Sequence, residues 1–201
     1  MNGLIQEYER RYDSFLQRVA ANLEAHIRNQ LTGVEHIDRV SARAKSPDRF
    51  GAKARSEDNG RPKYVSPLTD IQDQLGARVI VFYRGDVEVV SRVVARYFTS
   101  IEEKELVPES QWEFGYFGQH SILSLPRDVI PEGVPVAEVP RFFELQIKTL
   151  FQHAWSEANH DLGYKSRAPL NADQQRRLAF TAAQAWGADR VFDELRAEIC
   201  T

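Results

Sequence analysis

Cysteine is nearly missing from this 201-residue chain; the single one, Cys200, stands next to its last residue. That excludes a disulfide framework and a cysteine-ligated metal cluster, and it fits a reducing compartment. No apolar run approaches the length of a bilayer crossing, and charges interrupt every apolar stretch near the start. Neither a spanning helix nor a secretory h-region is therefore predicted, and the expectation is a cytoplasmic protein with no membrane partner. Positive charge is not in excess: 26 Lys and Arg stand against 29 Asp and Glu, a formal net charge of −3. A generally basic nucleic-acid binder is excluded, so phosphate contacts must come from local clusters. Repeats and low-complexity segments are absent as well.

What is present is an ordinary globular composition, 42% hydrophobic and 27% charged, in a chain long enough to bury a core. Apolar residues from Leu4 to Leu31 step by three and four, which predicts one long packing helix ending at Gly33. A strand over 34–45 and a short helix opened by Ser46-Pro47 follow. The polar stretch 56–63, SEDNGRPK, reads as a flexible connection. A short helix over 68–75, a central strand over 77–83, a helix over 86–98 and a strand over 100–106 come next. A strand over 121–125, a proline-punctuated loop over 126–140 and a last helix from Asn171 complete the chain. The order predicts an α+β fold, a mixed sheet flanked by helices. Residues 1–33 are expected as a helical extension, 34–167 as the functional domain, and 168–201 as a helical segment packed on it.

Candidate functional groups are densest in 142–165, FFELQIKTLFQHAWSEANHDLGYK. Phe143, Leu145 and Ile147 alternate with Glu144, Gln146 and Lys148, the pattern of a half-buried strand. Thr149 is an N-cap for a helix over 150–162, with Gly163 as its stop signal. On that helix His153, Glu157 and His160 share a face. Imidazole and carboxylate both ligate metals, so a helix-borne metal hydrolase is one reading. The face lacks the two-histidine pair of zinc-protease helices, and His160-Asp161 lacks the companion ligands of an HD phosphohydrolase. A glutamate on a strand is ordinarily part of a solvated face.

Three further places stand out. Arg43, Lys45, Ser46, Arg49 and Lys53 crowd a strand-to-helix junction, suited to anionic oxygens or simply a solvated basic face. Asp73 precedes Gly76 at the entry of the central strand, where it either caps a turn or lies beside a ligand. Tyr116, between Gly115 and Gly118, presents its ring to a planar partner or packs in the core.

Taken in order, RAKSPDRFGAK, DQLGARV, GYFGQH, ELQIKT, HAW and NHDLGYK resemble the synthetase domain of the RelA/SpoT family of (p)ppGpp alarmone synthetases, especially its small single-domain members. The resemblance runs from about Val40 to Lys165. It implies a nucleotidyltransferase-like fold and transfer of the β,γ-pyrophosphate of ATP to a nucleotide 3′-hydroxyl with Mg²⁺. Asp73 and Glu144 match the metal-holding acids, and Glu144 also the group proposed to take the hydroxyl proton. Arg43 and Arg78 match the arginines on adenine; Lys45, Ser46 and Lys53 match residues around the ATP phosphates. Tyr116 matches the tyrosine that stacks on the acceptor guanine. His120, Gln146 and Lys148 match acceptor-side positions, and His153, His160 and Lys165 other site-lining ones. Phe117 stands where the family has a basic residue, and Gln111, Trp112 and Glu113 precede Gly115, so positive charge for acceptor phosphates is missing there. The acceptor is thus open among GDP, GTP, GMP, an adenine nucleotide and the 3′ end of tRNA. A catalytically degenerate nucleotide sensor, a homo-oligomer and a toxin with a neutralising antitoxin partner also stay open. The long members' hydrolase and regulatory domains have no counterpart, so synthesis only is expected.

Overall fold

The apolar steps of the N-terminus fold as a helical run in three pieces. A computed structural model of the chain, which describes residues 2–105, 116, 118–165 and 169–200, shows α1 (Asn2–Arg11), one π-helical turn (Tyr12–Leu16) and α2 (Gln17–Gln30). Gly33 follows in the left-handed region, φ +83°, as a helix stop requires. Strand β1 (Ile37–Ala44) leads into α3 (Pro47–Ala54). Ser46 has the extended backbone of an N-cap, but its side chain makes no cap hydrogen bond.

The stretch expected to be a flexible connection is instead a small hairpin, β2 (Glu57–Asp58) with β3 (Arg61–Pro62). Asn59 and Gly60 both take positive φ, 51° and 75°, which is the tight turn that an Asn-Gly pair favours between paired strands. Next come α4 (Pro67–Asp70), a 3₁₀ turn (Gln72–Gln74), β4 (Leu75–Val81) and α5 (Arg84–Tyr97). Strands β5 (Ser100–Glu105), β6 (Gln119–Ser124) and β7 (Phe142–Thr149) complete the sheet. Between β6 and β7 the chain forms two 3₁₀ turns and no hairpin. Helix α6 (Leu150–Lys165) runs on through Gly163, because one glycine costs a helix only about 1 kcal/mol. Asn171 caps α7 (Ala172–Ile199), its side chain accepting from the Gln174 amide.

The five strands lie in the order β1-β4-β7-β6-β5, with β4 and β7 parallel and the other pairs antiparallel. Alternation along each strand sends Ala77, Val79, Leu145 and Ile147 to one face, where Val19, Leu23 and Ile27 of α2 and Val90 and Val94 of α5 cover them. The opposite face is polar, and strand register fixes which polar groups meet. One row across the sheet reads Arg43, Gly76, Glu144, Ile122; the next reads Ser41, Arg78, Gln146, His120. A one-residue slip of β7 would bury Glu144 and expose Leu145, so the apolar core itself holds this register. No helix of the described residues is long and apolar enough to cross a membrane.

Candidate active site

Two clefts open on the polar face and share one wall. The larger, about 440 Å³, is lined by Arg43, Lys45, Ser46, Arg49, Arg78 and Gln146, with Asp73 and Glu144 at its far side. The smaller, about 330 Å³, is lined by Lys53, Lys63, Tyr64 and His120, and again by Asp73 and Glu144. The two acids, 71 residues apart in sequence (144 − 73), meet because β4 and β7 are parallel neighbours with Gly76 opposite Glu144, and Asp73 lies in the turn just before β4.

Asp73 is tightly held on one oxygen and open on the other. Its Oδ2 accepts from Lys53 Nζ at 2.8 Å and pairs with Lys45 Nζ at 3.0 Å. Its Oδ1 is buried with no hydrogen-bond partner. Burial alone would lower the Lys53 ammonium, but the bond to Asp73 raises it, so the lysine stays charged. Glu144 has Gln146 Nε2 on Oε2 at 3.0 Å and His120 Nδ1 on Oε1 at 3.2 Å. Its burial would raise the carboxyl, yet these hydrogen bonds and the charges of His120 and Lys53 together bring it down to about 2. Glu144 is therefore an anion at any working pH. His120 Nε2 and Gln146 Oε1 are buried without partners, so the floor of the site holds unspent polar atoms.

The arginines of the larger cleft form an under-compensated positive patch. Burial, then the charges of Arg49 and Arg78, push Arg43 below the ordinary arginine value. Arg78 is positioned from the side: Nη1 donates to Glu157 Oε1 at 2.9 Å and lies 3.3 Å from His153 Nδ1. Burial, then the charge of Arg78, lowers His153, which favours the neutral ring that accepts from the guanidinium. The helical face once open to a metal reading is thus taken by a cation of the chain itself. Among the described residues no group of three His, Cys, Asp or Glu is disposed to hold a metal ion.

Some expected site residues lie elsewhere. Lys148 faces α6 instead of either cleft: it is buried opposite Ile80, with Nζ donating to Ser156 Oγ at 3.1 Å. Tyr116 is 7% exposed and packs with Trp155 and Ala182, its hydroxyl donating to Asp189 Oδ2 at 2.6 Å. That oxygen also accepts from Thr149 Oγ1 at 2.5 Å, so in this structure the ring belongs to the α6–α7 junction and offers no face to the clefts. His160 is exposed on the outer part of α6. The side chain of Lys165, and Gln111, Trp112, Glu113 and Phe117, lie outside the described residues. Conversely, Tyr12, Ser41, Lys63, Tyr64 and Gln72 line the clefts and were not singled out by sequence. Tyr8 and Tyr12 carried a signal, two phenols four apart on one helix. Tyr8 stacks on Phe50 at 3.8 Å and donates to Lys45 O at 2.8 Å, tying the first helix to the basic junction.

The buried Lys148 yields a stability prediction. Burial, then the Arg78 charge, brings its ammonium from 10.5 down to about 8. Between those values the unfolded chain binds the proton and the folded one does not, so stability rises with pH across that window. Below about 8 the folded protein holds a costly buried charge, on the order of 3 kcal/mol. Lys148→Met keeps the stem, and Ser156 retains its bond to His153 O. Urea unfolding at pH 7 should show the variant more stable than the parent, with the rise between pH 8 and 10 abolished; an unchanged pH dependence contradicts a low-lying Lys148.

Comparison with known proteins accords with this geometry. The sequence model of the region found in RelA / SpoT proteins matches residues 42–169. GTP pyrophosphokinase YjbM of Bacillus subtilis is 25% identical over 138 residues, 66% of this chain and 63% of that protein. The chain thus spans less than two thirds of that relative's length. Small alarmone synthetase 1 from B. subtilis, in a crystal structure with its product pppGpp, superposes with a TM-score of 0.77 at 23% identity, over 98% of this chain and 100% of that one. A GTP pyrophosphokinase family protein from Streptococcus pneumoniae gives 0.75 at 25% identity, over 96% and 94%. Because the matched region contains both acids, the basic junction and the parallel strand pair that brings them together, this chain belongs to the RelA/SpoT family.

Proposed function

We propose that the chain is an ATP-dependent pyrophosphotransferase that moves the β,γ-pyrophosphate of ATP to the 3′-hydroxyl of GDP or GTP, giving (p)ppGpp and AMP. One observation carries this reading: a cleft rich in arginine and a second, lysine-bearing cleft meet at Asp73 and Glu144. A reaction that transfers a group from one nucleotide to another needs two adjacent sites with the reacting atoms at their junction.

The donor side is the larger cleft. Arg43 and Arg78 offer planar guanidinium groups, which stack on a base as well as carry charge. Lys45 and the Ser46 hydroxyl lie at the start of α3, where polyphosphate oxygens are neutralised by the ammonium group and the helix N-terminus, and Lys53, in the last turn of α3, reaches the junction through Asp73. In the transfer, the 3′-oxygen bonds to the β-phosphorus, the bond from that phosphorus to the α,β-bridging oxygen breaks, AMP leaves with the bridging oxygen, and the hydroxyl proton passes to solvent water. Lysine and arginine placed in advance stabilise the charge that builds on these oxygens.

Mg²⁺ fits the acids at the junction. Asp73 keeps a buried, unpartnered Oδ1, and Glu144 is a fixed anion one strand away. These hard oxygen donors would hold the ion, which when bound supplies positive charge against phosphate oxygens. His120 Nε2 and Gln146 Oε1 provide hydrogen-bonding atoms for the acceptor ribose beside it.

The test is an acceptor panel with γ-labelled ATP and Mg²⁺: GMP, GDP, GTP, the adenine nucleotides and tRNA. Label on GDP or GTP is the expected result. Label on adenine nucleotides or on the tRNA 3′ end would replace the acceptor; label on none, with ATP still bound, would make the chain a nucleotide sensor.

A further inference from the structure

The smaller cleft contains two side chains with no role in the scheme above, Lys63 and Tyr64, on the segment that leaves the β2–β3 hairpin. We infer that they form the acceptor-recognition element of this protein, Tyr64 as the platform for the purine ring and Lys63 as the contact to the acceptor's terminal phosphates, those beyond the α-phosphate. The inference rests on the pyrophosphotransferase reading, which makes this cleft the acceptor side.

Position is the first argument. Asp73 and Glu144 divide the polar face, and the basic junction with its arginines occupies one side. The other side is a separate cleft of about 330 Å³, a volume in the range of small-ligand sites. A 3′-hydroxyl directed at the two acids from this side places its base and phosphates among the cleft's outer residues. Those residues include Lys63 and Tyr64.

Chemistry is the second. Tyr64 is half-buried, its ring packed on the main apolar core, so it is anchored as a stacking surface must be. Tyr116, the aromatic residue the family pattern assigns to the base, is instead buried at the α6–α7 junction with its hydroxyl on Asp189. Lys63 is exposed and makes no ion pair among the described residues; its ammonium stands 5.9 Å from the centroid of the Tyr64 ring. Lys53, the other lysine here, is committed to Asp73. Asp70, which also lines the cleft, forms no ion pair with Lys63; its oxygens accept from the Ser66 amide and the Thr69 hydroxyl. Lys63 thus supplies the positive charge that the sequence lacks in its acceptor loop. The backbone is fixed for the purpose: the Lys63 amide donates to Ser56 O at 2.9 Å, closing the hairpin base beneath it.

Steady-state transfer assays with GMP and GTP as alternative acceptors separate the two roles. Lys63→Ala should raise KM for GTP about tenfold, the usual cost of one charge-assisted phosphate contact, and leave KM for GMP nearly unchanged. Tyr64→Ala should raise KM for both about tenfold or more, as loss of one stacked base does, while Tyr64→Phe stays at the parent value. KM for ATP should not move in any of the three. Acceptor KM values unchanged in both alanine variants overturn the inference, and so does an equal rise for ATP. If the parent transfers label to no acceptor, the reading of the reaction fails instead. Calorimetric titration of GTP into parent and variants then still decides this site, because binding that Lys63→Ala and Tyr64→Ala leave intact rules it out.

Discussion

Glu144→Gln is expected to reduce pyrophosphate transfer roughly a thousandfold, the scale lost when one preorganised electrostatic group is removed from a transition state. The substitution keeps the size of the side chain and its place on β7, and removes only the charge. That charge is costly to maintain: the group is half-buried, and His120, Gln146 and Lys53 are all arrayed to keep it ionised. A carboxyl held at about 2 is a poor acceptor of a hydroxyl proton near neutral pH, since general bases work best close to the operating pH. In the proposed reaction its contribution would therefore be negative charge beside Asp73 at the cleft junction, which a divalent cation next to a polyphosphate requires. ATP affinity, measured by calorimetry without magnesium, should stay near the parent value, because the arginines and Lys45 remain. Transfer that survives at the parent rate would remove Glu144 from the chemistry and with it the junction as the reacting centre.

The second large effect comes from two glycines on the polar face of the same sheet, for which one substitution has opposite consequences. A Cβ built on Gly118 would overlap the Ile147 carbonyl oxygen and Lys148 Cγ, so Gly118→Ala forces β6 and β7 apart. Overpacking of this kind, directed at backbone, should cost about 3 kcal/mol, visible as a lower urea midpoint with an unchanged slope. A Cβ on Gly76 meets nothing within 4 Å, because the residue forms the open floor of the larger cleft between Arg43 and Glu144. Gly76→Ala should leave stability equal or raise it by up to about 1 kcal/mol, through the stiffer unfolded chain. Gly76→Val should then reduce kcat/KM for ATP by about a hundredfold, since a displacement of the donor by an ångström or so is enough for that. A valine variant that turns over ATP normally would show that the donor does not lie across β4.

Periodicity made most of the architecture legible. Alternation in 142–149 predicted β7 and which of its residues enter the apolar core, because a strand has only two faces and the apolar set had to take one. The helical steps of 86–98 overrode its valines, and α5 forms where they indicated. Short-range turn chemistry was read less well: SEDNGRPK was polar enough for a linker, yet Asn59-Gly60 is also a hairpin turn, and the hairpin formed. The family pattern pointed to Asp73, Glu144 and the basic junction, and all of them line the clefts.

Long-range placement was not legible. Nothing in the order of residues says that Arg78 will be held by Glu157 and His153, that Lys148 will sit under a helix, or that Tyr116 will be bonded to Asp189. These outcomes depend on how α6 and α7 dock on the sheet, which is decided by packing among residues distant in sequence. Tyr64 and Lys63 escaped notice for the same reason, since a tyrosine beside a lysine becomes a binding surface only once folding sets it against a cleft. The sequence alone determined most of the elements and the polar alternation of β7, because local periodicity is a property of the chain itself, and its resemblance to the family singled out Asp73 and Glu144. Only the tertiary structure decided that the acids meet, since a parallel strand pair joins segments far apart in the chain and the buried core sets its register.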